Sequence, residues 1–201
     1  MDSVRIQFWY EFASTYSYLS VCRIEPLAEK CGVPVEWKPF LLGPIFKEQG
    51  WDDSPFNIYK AKGRYMWRDI QRLCEKYGIA FKKPSQFPRN GLLSARVACI
   101  AALERWCPEF TRAVFHANFA EDLDISDPET IKHIIDSLGR DGTELIERSQ
   151  APENKLLLRK QYEEAVELGI FGAPSFVVGT ELFWGNDRLE DAIQWYKERL
   201  Q

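Results

Sequence analysis

Apolar and polar residues alternate over residues 4–12 (VRIQFWYEF), placing Val4, Ile6, Phe8 and Tyr10 on one side. A period of two predicts a strand with one buried face. The period then changes. Over residues 15–30, Val21, Ile24 and Ala28 fall on one helical face, Pro26 predicts a kink, and Gly32 supplies a left-handed stop. Residues 34–42 (PVEWKPFLL) alternate again until Gly43–Pro44 break the pattern. The first forty residues therefore read strand, helix, strand.

From about residue 46 to 169 the pattern is helical almost throughout. Residues 61–79 place Tyr65, Ile70, Leu73 and Tyr77 along a stripe, and residues 90–106 (NGLLSARVACIAALERW) form the most apolar helix. Residues 126–139 begin with Ser126 or Asp127 as cap and Pro128 in the first turn, and end at Gly139. Residues 82–91 (KKPSQFPRNG) read as a connector punctuated by Pro and Gly. Strand character returns in "APSFVVG" and "ELFWG", separated by Gly179–Thr180 as in a tight hairpin. A last amphipathic helix offers Leu189, Ile193, Trp195 or Tyr196, and Leu200 to the core. The order β-α-β, helical block, β-β-α predicts an α/β fold whose core, residues 1–43 and 170–201, is split by an all-helical insertion, residues 44–169.

Composition narrows the function. The chain has 201 residues, 45% hydrophobic and 14% aromatic, enough for one sizeable core and an aromatic pocket. A net charge of −4 gives no electrostatic footprint for nucleic acid or an anionic membrane. Neither a signal peptide nor a membrane-spanning run is apparent. The cysteines, Cys22, Cys31, Cys74, Cys99 and Cys107, are odd in number and form no C-x-x-C pair. They predict reduced, packed thiols and a cytoplasmic protein. His116 and His133 stand apart, so no metal site is expected.

Three places can carry chemistry. Ser14 stands where the first strand gives way to the first helix, and Ser is among the best N-cap residues. A hydroxyl there also sits among unpaired N–H groups at the positive end of the helix dipole, where an anion such as a thiolate is stabilised. The Ala173–Pro174 bond, at the start of a core strand, is a candidate cis peptide. A cis bond would turn the Ala173 backbone outward to pair with an extended peptide; a trans proline at an edge-strand start is the alternative. In "FWGNDRL", Asn186 or Asp187 can cap the last helix. The same N–H groups, with Asp187 and Arg188, can hold a zwitterionic amino-acid end.

The segments "F-x-Y-E-F-A-S-x-Y-S-Y-L" (8–19), "KPFLLGPIFK" (38–47), "KGRYMWRD" (62–69), "FGAPSFVVG" (171–179) and "FWGNDRL" (183–189) occur in this order along the chain. Together they resemble 2-hydroxychromene-2-carboxylate isomerases and kappa-class glutathione transferases, of the DsbA-like branch of the thioredoxin fold. The resemblance implies that glutathione binds with its sulfur beside Ser14 and its cysteine backbone paired with Ala173, before cis-Pro174. It implies that Asn186 and Asp187 hold the γ-glutamyl end and that Lys62 reaches the glycyl carboxylate, with Asn57 in a related role. It also implies a homodimer. Thr15 departs from the family's usual proline after the serine.

A glutathione thiolate adding reversibly to a conjugated aromatic acid would isomerise it through rotation or ring opening, while Ser14 tunes the thiol. Phe46, Tyr65 and Trp184 are candidates for the aromatic wall of the substrate pocket. A transferase that conjugates small electrophiles and a glutathione-binding module without catalysis are the alternatives. Thiol–disulfide exchange is disfavoured, since Ser14 and Ser17 stand where it needs cysteines.

Overall fold

A computed structural model of the chain describes residues 5–200; Val4 and the side chain of Leu200 lie outside the described residues. Strand β1 (Ile6–Tyr10) pairs parallel with β2 (Val35–Pro39) and antiparallel with β3 (Ser175–Val178). Strand β3 turns at Gly179–Thr180 into antiparallel β4 (Glu181–Trp184). The sheet order is β2-β1-β3-β4, so the two halves of the chain meet through β1 and β3. Helix α1 (Thr15–Cys31) makes the crossover that two parallel strands require. It runs unbroken through Pro26 and ends at Gly32, whose φ of 65° is the left-handed conformation expected.

The segment between β2 and β3 holds no strand among the described residues. It contains α2 (Leu42–Glu48), α3 (Pro55–Ile58), α4 (Lys60–Tyr77), α5 (Leu92–Leu103), α6 (Cys107–His116), α7 (Pro128–Ser137), α8 (Gly142–Gln150) and α9 (Pro152–Glu167). A π-helical turn, Ala117–Glu121, prolongs α6. Gly43–Pro44 do not separate strand from helix: both lie in the first turn of α2, where a proline removes no helical hydrogen bond. Asp127, rather than Ser126, caps α7 by accepting from the Glu129 N–H. Helix α10 (Leu189–Leu200) closes the chain, with Leu189, Ala192, Ile193 and Tyr196 turned inward.

Both faces of the sheet are buried. Ile6, Phe8 and Tyr10 enter the main core with Trp37 and Phe176, as the alternating pattern predicts. Trp9 points the other way and is equally buried, packed edge-on to Phe40 with Ile45 and Ala165 from α2 and α9. The main core is continuous between sheet and helices: Phe12 lies 5.2 Å from Phe115 and 6.3 Å from Phe110 of α6, ring to ring. Each such aromatic, fully buried, contributes on the order of 2 kcal/mol. On α4, Ile70 is buried and Leu73 and Tyr77 pack half-buried against the core as expected, while Tyr65 is 63% exposed and Met66 and Cys74 complete the buried stripe instead. The main core admits the flexible thioether and small thiol and leaves the phenol outside.

Candidate functional site

Strand β1 stops at Tyr10, and Glu11, Phe12 and Ala13 form a turn closed by the Ser14 N–H donating to the Glu11 carbonyl at 2.9 Å. Ser14 then takes the extended conformation of an N-cap (φ −78°, ψ 116°). Its Oγ accepts from the Ser17 N–H at 3.1 Å and donates to the Ala173 carbonyl at 3.0 Å. The cap therefore also ties α1 to the loop before β3, 159 residues away in sequence. The Ala173–Pro174 bond is cis, as anticipated. The Ala173 carbonyl is already engaged by Ser14, yet an oxygen with two lone pairs accepts a second donor. Thr15 follows at the first helical position, buried, with its Oγ1 unpartnered.

These residues form the floor of a cavity of about 1670 Å³. Lys62, Ala173, Pro174, Asn186, Asp187 and Arg188 line it together with Ser14, and Phe46, Tyr65 and Trp184 stand in its wall. Asn57 does not line it. Its amide donates to Asp53 and, at 3.2 Å, to the Phe87 carbonyl, which fastens α3 to the connector before α5.

The loop after β4 is tightly built. Asn186 is buried, and its side-chain carbonyl accepts from Ser20 Oγ at 3.2 Å and from Arg23 at 3.0 Å, both on α1. With the carbonyl fixed, the amide NH₂ remains as a donor beside the cavity. Asp187 and Arg188 are exposed and paired at 3.2 Å, and Arg188 also holds Asp191 at 2.6 Å. Trp184, 53% exposed, packs 4.9 Å from Phe171 and lies against Gly172, where any Cβ would collide with the indole nitrogen. Lys62, at the mouth, has no ion pair among the described residues and lies 5.2 Å from the Tyr59 ring.

Several residues of the site carry no local sequence signal. Arg89, in the stretch that reads only as a connector, is buried and donates to Asn118, Ser85 and Asp122. Asn118 in turn donates to the Phe12 carbonyl at 3.1 Å, so this network braces the turn that presents Ser14. Tyr16 donates to Asp69 of α4 at 3.0 Å; burial, then the Asp69 charge, raise its phenol and keep it neutral. Glu11 is half-buried in the cavity, and burial pushes its carboxyl up to about 7 against the opposing bond from the Ala13 N–H. Burial likewise pushes the thiols of Cys74 and Cys99 up to about 12 and that of Cys107 up to about 11. A thiol so raised is a poor nucleophile near neutral pH.

The family described as DSBA-like thioredoxin domain matches residues 5–196. The chain belongs to this family. It is 28% identical over 186 residues to a 2-hydroxychromene-2-carboxylate isomerase of Sphingobium xenophagum, covering 92% of this chain and 94% of the relative. It is 23% identical over 211 residues to glutathione S-transferase kappa 2 of Caenorhabditis elegans, covering 96% and 92%. Among solved structures, a 2-hydroxychromene-2-carboxylate isomerase superposes with a TM-score of 0.85 over 96% of this chain and 94% of that one, at 24% identity. The last match concerns the fold: a DsbA-like thioredoxin architecture with a four-stranded mixed sheet and many helices.

Proposed function

We propose that this chain is a glutathione-dependent isomerase of a conjugated aromatic acid of the 2-hydroxychromene-2-carboxylate type. The observation that carries the reading is Ser14. A capping hydroxyl and a helix N-terminus stand at the floor of a cavity of about 1670 Å³, where the DsbA-like plan needs a sulfur and this chain has none. No cysteine is among the described residues that line this cavity, so a reactive thiolate at Ser14 arrives with a ligand. The kappa-class glutathione transferase relatives agree with such a ligand.

The residues present fit glutathione. The tripeptide carries two carboxylates and one ammonium, and the cavity offers Lys62 and Arg188 as cations, Asp187 as an anion and the anchored Asn186 amide as a donor. Ala173 offers its backbone. When bound, glutathione supplies a thiolate that adds reversibly to the conjugated system, allows rotation or ring opening, and leaves again. Ser14 turns its hydroxyl from Ala173 toward the anion, and the first N–H groups of α1 add their dipole. Phe46, Tyr65 and Trp184 stack on the aromatic acid. The inserted helical domain, residues 44–169, walls the substrate side of the cavity against the thioredoxin-like unit of residues 1–43 and 170–201. On this reading the protein is a cytoplasmic homodimer, in keeping with its free cysteines.

The test is an assay of hydroxychromene-carboxylate conversion with and without glutathione, alongside conjugation of a chloroaromatic. Isomerisation that needs glutathione but does not consume it is the expected result. The kappa-class similarity favours a second reading, a transferase, which net conjugation would establish. Binding without either turnover would leave a glutathione-binding module.

A further inference from the structure

Glu11 is an acid that opens the four-residue turn closed by Ser14. Its Oε2 accepts from the Ala13 N–H at 3.0 Å, and its backbone carbonyl accepts from the Ser14 N–H at 2.9 Å. Oε1 faces Gly91: a Cβ there would stand 3.3 Å from Oε1 and 3.0 Å from the Phe12 Cβ, so the glycine keeps the space beside the carboxyl open. Glu11 also lines the cavity that Ser14 lines. The charged side chains sharing that cavity include Arg89 from the connector, Lys62, Asp69 and Lys76 from α4, and Asp187 and Arg188 after β4. None pairs with Glu11 among the described residues, and Arg89 is bound by Asp122. A glutamine would accept from Ala13 equally well. Only an acid can hold a proton here, and a half-buried carboxylate without a cation costs stability.

We propose that Glu11 is the proton acceptor for the glutathione thiol at Ser14: the S–H bond breaks, its electron pair stays on sulfur, and the proton passes to a Glu11 carboxylate oxygen. The proton returns to sulfur when the thiol re-forms, so no oxidant, reductant or further acid takes part. The inference rests on the glutathione reading above. Two physical arguments support it. Burial moves the Glu11 carboxyl up to about 7. A thiol lowered from about 8.5 by about one to two units at a helix N-terminus comes close to it, so the transfer costs little. The site also keeps one negative charge throughout, since carboxylate is exchanged for thiolate instead of being joined by it.

The experiment counts protons. Glutathione is added to the whole protein at about pH 8, where free carboxyl groups are ionised. Calorimetry in two buffers of different ionisation heat gives the protons released, and ultraviolet absorbance gives the thiolate formed. Wild type is expected to form thiolate without net release, and Glu11→Gln to release one proton for each thiolate. Glu11→Asp, which keeps the acid, should move back toward wild type. One proton per thiolate in wild type, or equal ratios in wild type and Glu11→Gln, overturns the assignment. The Glu11 carboxyl can also be followed by NMR in wild type, with no variant required. Its titration should move to higher pH when glutathione binds, and an unchanged midpoint overturns the assignment. A wild-type protein that gives no thiolate at all fails differently, because the absorbance itself is missing and the glutathione reading goes with it.

Discussion

At the floor of the cavity, Ser14, Asn186 and Glu11 are each held by hydrogen bonds within the chain, whereas at the rim Lys62, Tyr65 and Asp187 are exposed. Ser14 joins the start of α1 to the cis-proline loop, and Asn186 joins the loop after β4 to Ser20 and Arg23. The floor is set before any ligand arrives, so its groups can act on charge without first being ordered. The rim side chains make only exposed contacts, such as Asp187 with Arg188, and are ordered further on binding, which lowers what each contributes. Substitutions in the two regions should therefore differ in kind. Those at the floor should change chemistry and folding together; those at the rim should change affinity alone.

The strongest test of that contrast is Ser14→Ala. It removes the donor to an anion at the floor, and loss of one such donor lowers turnover on the order of 10²-fold. It also removes a cap, which costs about 1 kcal/mol of stability. Steady-state kinetics and denaturant unfolding check the two effects on one preparation.

Glu11 gives a pH-dependent effect on stability. Its carboxyl moves from the ordinary 4.5 to about 7 on folding, so between these values the folded chain holds more protons than the unfolded one. Stability from this group is fully present below about pH 4.5 and is lost as pH rises through about 7. With allowance for solvent screening at a half-buried site, the loss is about 2 kcal/mol. Unfolding midpoints measured across this range should fall for wild type and be flatter for Glu11→Gln.

Asn186→Ala leaves Ser20 and Arg23 without their shared acceptor and removes an amide donor from the cavity. Glutathione affinity should drop about tenfold, the loss of one hydrogen bond to a charged group. At the rim, Lys62→Ala should weaken glutathione about threefold at low salt, less at high salt, with unchanged unfolding. Asn57→Ala, beyond the cavity, should leave the affinity within about twofold while loosening α3 from the Phe87 carbonyl. Calorimetric titrations of the three variants rank them directly.

The same division separates what neighbours in sequence determine from what distant ones do. The Ser14 cap, the Gly32 stop and the hairpin at Gly179–Thr180 depend on neighbours in sequence, and each reads correctly. The strand–helix order is legible for the same reason, whereas the local sequence leaves cis and trans open at Pro174 and the family resemblance implies the cis bond found. Trp9 looks like the outer side of β1 because nothing local reveals that α2 and α9 cover it. Tyr65 looks inward because its spacing fits the line through Ile70, Leu73 and Tyr77, yet its neighbour Met66 takes the buried place. Ser20 and Arg23 matter through Asn186, more than 160 residues away, and Arg89 through Asn118 and Asp122. Glu11 reads as one polar position in an alternating strand until burial without a cation sets it apart. Long-range pairing, not residue type, is what the chain order conceals.

The most direct measurement titrates the protein with glutathione at about pH 7, below the thiol's ordinary value, while recording thiolate absorbance. Saturable binding with a thiolate signal in wild type, and loss of that signal in Ser14→Ala, is the expected outcome. Binding without thiolate, or a signal that Ser14→Ala leaves intact, would contradict it.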